Sequence, residues 1–150
     1  MALYSAAFFG AAGTATLPIA GLRSGTAANN PIIREIKLFT QAANSAIIRI
    51  VRITTAGTGT AITENNMTPT TTAPTATAVH TYSSTAPTIQ AGDIDVAMIG
   101  AAIGSGFVYT YYGEGKGLWI APGASDANGV ALIEQTDTAN TYAGTFIWEE

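Results

Sequence analysis

"TYAGTFIWEE", residues 141–150, sets large apolar side chains against small or polar ones at every second position. Tyr142, Phe146 and Trp148 fall on one side with Gly144 between them, and Ala143, Thr145, Ile147 and Glu149 fall on the other. Successive side chains of a strand point to opposite faces, so this period of two marks a strand with one face in a core. A helix would need apolar residues three and four apart, which the stretch does not supply.

The pattern continues outward. In "GFVYTYYG", residues 106–113, Phe107, Tyr109 and Tyr111 face one way and Val108, Thr110 and Tyr112 the other. Both faces are at least half apolar, so this strand is expected to be covered on both sides, by the opposite sheet and by a neighbouring subunit. "PIIREIKLFTQ" (31–41) and "SAIIRIVRITT" (45–55) carry charges inside hydrophobic strands. Strict alternation puts Arg34 with Ile32, Ile36 and Leu38, and puts Glu35 and Lys37 with Ile33 and Phe39. A charge in a buried strand needs a partner. Cross-strand pairing of Glu35 with Arg49 or Arg52 would provide one; solvated strand ends are the alternative.

Helix signals are nearly absent, and Gly, Pro and Thr punctuation recurs about every ten to fifteen residues. Strands are expected over 2–9, 14–23, 31–40, 45–55, 78–83, 94–102, 106–112, 117–121, 129–135 and 141–149. Turn chemistry supports these divisions: Asn29-Asn30-Pro31 makes a corner, Pro122-Gly123 a turn and Asn128-Gly129 a hairpin signal. Gly113, Gly115 and Gly117 form a tight connection between aromatic strands.

The chain has 150 residues, enough for one domain with a sizeable core and too few for two ordinary ones. Charged residues make up 11%, about half the usual share, while hydrophobic residues reach 47%. Such a surface suits packing beside other protein. A net charge of −4 and six basic residues do not favour nucleic acid, because a phosphate backbone calls for clustered Lys and Arg. Cysteine is absent, which removes disulfides, thiolate nucleophiles and zinc knuckles. "MALYSAAFFGAAGTATLPIAG" lacks the charged start of a signal peptide and is interrupted by Gly10, Gly13 and Pro18, so it reads as mature sequence. No run reaches 18 apolar residues, and no membrane span is predicted.

These features predict an all-β chain: a single-domain antiparallel β-sandwich over 1–150, of jelly-roll type, with an immunoglobulin-like sandwich as the alternative. No repeat of fixed period is present.

Chemistry is thinly represented. The single histidine, His80 in "AVHTYSS", has no second histidine and no orienting carboxylate nearby in sequence, and reads as a loop or edge-strand residue. Asp93 and Asp95 in "GDID" share a strand face and could hold a hard cation; an ordinary turn into the next strand is the competing reading. "GEGKG" lacks the spacing of a phosphate-cradling loop. Tyr109, Tyr111, Tyr112 and Trp119 cluster about a glycine-rich turn, where they could stack sugars; core and subunit interface is the preferred reading. No catalytic residue, metal or cofactor is expected.

"NNMTPTTTAPTATAVHTY", residues 65–82, is nearly uncharged and rich in threonine. Pro69 and Pro74 favour extended backbone, and the absence of charge avoids a desolvation cost on docking. Residues 56–77 are therefore expected to form an extended arm over a neighbouring subunit or shell. The candidate interface residues are Met67, Pro69, Pro74, His80, Tyr109, Tyr111, Tyr112 and Trp119.

Five stretches, "PIIREIKLFTQ", "IIRIVRITTAGTGTAITE", "AAIGSGFVYTYYGEGKGLWIAPG", "NGVALIEQTDTA" and "FIWEE", taken in order, resemble a broad group of small virion proteins of tailed bacteriophages. The segment "NNMTPTTTAPTATA" departs from that group in being shorter and lacking its acidic Asp-Pro pairs. The resemblance implies a jelly-roll-like sandwich and a structural role on the outside of the particle. It points to a capsid decoration or cement protein that binds the major capsid protein or other virion proteins as a homotrimer. A tail, baseplate or fibre component with a carbohydrate-binding branch is the alternative. The resemblance supplies no catalytic residues.

Overall fold

The alternation of β-branched and aromatic residues with polar ones becomes twelve strands, and no helix forms among the described residues. The computed structural model describes residues 1–25, 30–69, 72–111, 117–121, 128–136 and 140–150. Tyr112, Gly113, Gly115, Asn29 and the Pro122-Gly123 turn lie outside them. The strands are β1 (Leu3–Ala12), β2 (Ala20–Arg23), β3 (Ile32–Thr40), β4 (Ala46–Ile53), β5 (Thr60–Ala61), β6 (Glu64–Asn66), β7 (Thr77–His80), β8 (Ile89–Ile99), β9 (Gly106–Thr110), β10 (Leu118–Trp119), β11 (Gly129–Glu134) and β12 (Thr141–Glu149).

They form two antiparallel six-stranded sheets packed as a sandwich. The first runs β10-β3-β12-β1-β6, with β9 also on the β3 edge; the second runs β5-β7-β2-β11-β4-β8. β12 lies at the centre of the first sheet, and its alternation is realised as expected: Tyr142, Phe146 and Trp148 are fully buried. Trp148 stacks on Tyr4 at 5.8 Å between ring centroids, and Phe146 meets Phe8 at 6.1 Å. From the second sheet, Leu22, Ile48, Ile50, Val130 and Leu132 complete this core. Each such side chain contributes about 1.5–3 kcal/mol by leaving water.

Strict alternation fails at bulges, where one strand carries an extra residue. On β1, Phe8 pairs with Gly144 but Ala11 with Tyr142, and Gly10 takes up the extra length at φ +68°. The core face of β1 is therefore Tyr4, Ala6, Phe8 and then Ala11. On β3, Glu35 pairs with Ile147 but Ile33 with Trp148, leaving Arg34 as the extra residue. Ile33 thus joins Ile36 and Leu38 in the core, which corrects the grouping expected from simple parity.

The charges pair differently from expectation as well. β3 and β4 belong to different sheets, so Glu35 meets neither Arg49 nor Arg52. Glu35 instead pairs with Lys37 at 2.8 Å, Arg34 with Glu149 at 2.7 Å and Arg49 with Asp93 at 2.6 Å.

Segment 56–77, expected as an extended arm over a neighbouring subunit or shell, runs along its own sandwich over its described residues. β5 adds to β7, the chain crosses to the other sheet at buried Ile62, and β6 adds to β1 through Tyr4↔Asn66 and Ala6↔Glu64. The Met67 amide then donates to Leu3 O at 2.8 Å, and the Leu3 amide to Thr68 Oγ1 at 3.0 Å. Exposed strand edges present unpaired backbone groups, and this segment covers one.

Candidate functional site

The outer faces of the two sheets are treated differently. On the second sheet, Val51, Ile53, Ala131 and Ile133 point away from the main core yet are at most 1% exposed. The chain roofs this side itself. Segments 54–59 and 81–88 are laced by Thr54 N–H to Thr88 O, Thr58 N–H to Thr85 O and Ser83 N–H to Thr58 O, each 2.9 Å. Gly21 pairs with Ala131 and so faces the same way, and the Tyr82 hydroxyl lies 2.6 Å from where a Cβ on Gly21 would stand. Tyr82 is buried with no hydrogen-bond partner for its hydroxyl among the described residues, and burial pushes its pKa up to about 12, the charge of Arg23 opposing.

The first sheet has no such roof among the described residues. Its outward positions include Ala7 and Phe9 on β1, Ala143, Thr145 and Ile147 on β12, Phe39 on β3 and Val108 on β9. Phe9 is 77% exposed and Val108 47%. The charges on these strands are taken up in the pairs Glu35–Lys37 and Arg34–Glu149. The face therefore mixes apolar side chains with hydroxyls and paired charges and is locally neutral, although the chain carries −4 overall.

A second feature lies at one end of the sandwich. A cleft of about 440 Å³ opens between β4, β8 and β10. Ile53 and Ile120 supply apolar lining, and Arg52, Gln90, Trp119 and Asn128 supply the polar and aromatic part. Arg52 pairs in register with core-facing Val130, but at the end of the sheet its side chain extends to Trp119 O, Nη1 donating at 2.6 Å. That bond fixes the guanidinium. No carboxylate among the described residues forms an ion pair with it.

The described candidate interface residues are not gathered into one site. Met67 and Pro69 are exposed beside the β1–β6 edge, and Pro74 is half-buried next to Thr75, whose amide donates to Glu150. His80 pairs with Ala20 and Thr60, stacks on Phe8 at 6.3 Å and shares a 3.0 Å hydrogen bond between Nδ1 and Thr81 Oγ1. Partial burial lowers its pKa. The neighbouring Thr81 hydroxyl also accepts from the Ala12 amide at 3.2 Å, an arrangement that holds a turn. Tyr109 and Tyr111 pack against the core, and their hydroxyls are shifted above the usual phenol pKa, by burial first and by the charge of Asp95 second. The outward positions on β9 are Val108 and Thr110. Trp119, 44% exposed, is the candidate that lines the cleft.

Asp93 and Asp95 do not form a cation cradle. Arg49 takes Asp93 Oδ1 through both Nε and Nη2, at 2.9 and 2.6 Å, and Asp95 accepts from the Val96 amide at 2.7 Å. The described residues contain no group of three or more acidic or histidine side chains able to hold a metal ion. The cleft residues Arg52 and Gln90 were not legible as a site, since strand neighbours in space are far apart in sequence. The one signal was a cation, one of two, in an otherwise apolar strand.

No protein-family model, no curated protein and no solved structure matches the chain.

Proposed function

We propose that this chain is a structural protein of a tailed-bacteriophage particle, attached to the outside of the head shell as an oligomer, with a trimer as the expected assembly. The observation that carries this reading is the asymmetry of the sandwich: one outer face is roofed by the chain's own loops, and the other is bare, partly apolar and charge-balanced over its described residues. A bare neutral face suits contact with another protein surface, because docking there strips water from its apolar side chains while its charges stay paired. Repeating such a contact through an oligomer converts weak single contacts into firm attachment. The partners in this reading are other copies of the chain and the major capsid protein or another virion protein. The reading is non-catalytic and involves no cofactor.

Counting copies on purified particles by quantitative mass spectrometry, with imaging of their position, tests it. Copies spread over the head in proportion to shell subunits are expected. A handful of copies at one end would overturn the decoration role and favour a tail, baseplate or fibre component, the second reading that the cleft at the sandwich end supports.

A further inference from the structure

We propose that the cleft between β4, β8 and β10 binds an acidic saccharide unit, with a sugar ring stacked on Trp119 and its carboxylate paired to Arg52. The proposal is independent of where on a particle the chain resides.

Four features of the cleft converge on this ligand. Its volume of about 440 Å³ lies within the roughly 300–1,000 Å³ of small-molecule sites. Trp119 lines it while 44% exposed, which costs solvation that a ligand would recover. A sugar ring offers a patch of C–H groups to an indole and hydroxyls at its rim. Gln90 brings a side-chain amide that both donates and accepts, the chemistry that matches adjacent hydroxyls.

Charge selects among saccharides. Among the described lining residues Arg52 is the one cation, and no carboxylate is present. One of its nitrogens is committed to Trp119 O at 2.6 Å, which holds the fork in place while other N–H groups stay available. A fixed guanidinium matches one carboxylate by paired hydrogen bonds. It does not match a polyphosphate, whose several charges would meet one cation and neutral side chains among the described lining residues. A uronic or sialic acid residue of a surface polysaccharide has the required combination of C–H face, hydroxyls and one carboxylate.

The test is calorimetric titration of the purified full chain with glucuronate- and galacturonate-terminated oligosaccharides, their neutral glucose and galactose counterparts, and ADP. The acidic sugars are expected to bind about tenfold or more tightly than the neutral ones, the value of one charged hydrogen-bonded pair. Trp119→Ala should abolish binding of both classes, and Arg52→Gln should erase the preference for the acidic ones. Because Arg52 also bonds to Trp119 O, Gln90→Ala serves as the surface variant: it should weaken binding several-fold with an unchanged melting temperature. Absence of saturable saccharide binding up to roughly 10 mM, equal affinity for acidic and neutral sugars, tighter binding of ADP, or full affinity in Trp119→Ala would each overturn the proposal.

Discussion

Glu150 holds Thr75 twice: its Oε2 accepts from the Thr75 amide at 2.7 Å and from the Thr75 hydroxyl at 3.0 Å. The other oxygen accepts from the Ala76 amide at 2.7 Å and from the Trp148 indole at 3.1 Å. One carboxylate thereby fastens the connection between β6 and β7 to the end of β12.

Removing that acceptor leaves several donors unsatisfied in a half-buried place, at about 1–3 kcal/mol in total stability. Glu150→Ala is expected to lower the urea midpoint accordingly and to speed amide exchange at Thr75 and Ala76 first. Deleting 65–77 removes part of β6, the first residue of β7 and buried Ala76, so it should destabilise the sandwich itself. A deletion variant melting like wild type would show that the segment is dispensable to the fold.

Tyr82 and Gly21 make a second pair that size alone governs. Gly21→Ala would set a methyl 2.6 Å from the Tyr82 hydroxyl and 3.2 Å from Val130 O, and overpacking of this kind costs about 1–3 kcal/mol. Adding Tyr82→Phe removes the nearer clash, so the double variant should lose less than the sum of the singles in a double-mutant cycle.

The same tyrosine sets an alkaline limit. Its folded pKa, about 12, stands above the ordinary phenol value of 10, so between those pH values the unfolded chain gives up its proton first. The unfolded state then binds fewer protons, and stability falls as pH rises through that window, by about 2–3 kcal/mol for this group. Tyr82→Phe should flatten that part of the alkaline limb in denaturant titrations from about pH 9 to 12. Near neutral pH it should be neutral or stabilising, because the hydroxyl has no partner among the described residues.

Gly10 isolates backbone conformation from packing. It sits at φ +68° with nothing within 4 Å of where a Cβ would stand, so Gly10→Ala tests strain alone. A loss of about 1–2 kcal/mol is expected, and Gly10→Asn should lose less, since asparagine tolerates the left-handed region. Urea denaturation of the two variants beside wild type gives both values.

Association through the bare sheet face makes a prediction separable from stability. Val108→Lys and Ala7→Glu place charges on outward, exposed positions. Both variants should sediment as monomers under conditions where wild type self-associates, with stability of the isolated protomer changed by less than about 0.5 kcal/mol. Wild type that stays monomeric at high concentration would count against the oligomer.

That the chain folds as a β-sandwich was legible in its residues. Alternation in residues 141–149 and 106–110, together with Gly and Pro turns, located the principal strands because a period of two can bury only one face of a sheet. It also named the aromatic core of β12. Short β5 and β6 were not legible, since two or three residues carry no period and their pairing depends on strands far away in the chain. The bulges that return Ile33 and Ala11 to the core, and the partners of Arg34, Glu35 and Arg49, emerge only in the folded molecule. So does the gathering of Arg52, Gln90 and Trp119 around one cleft. These are facts of register and of which sheet a strand joins. Local pattern sets which face of a strand is apolar, but the closing of one sheet on the other sets what that face, and each charge beside it, will meet.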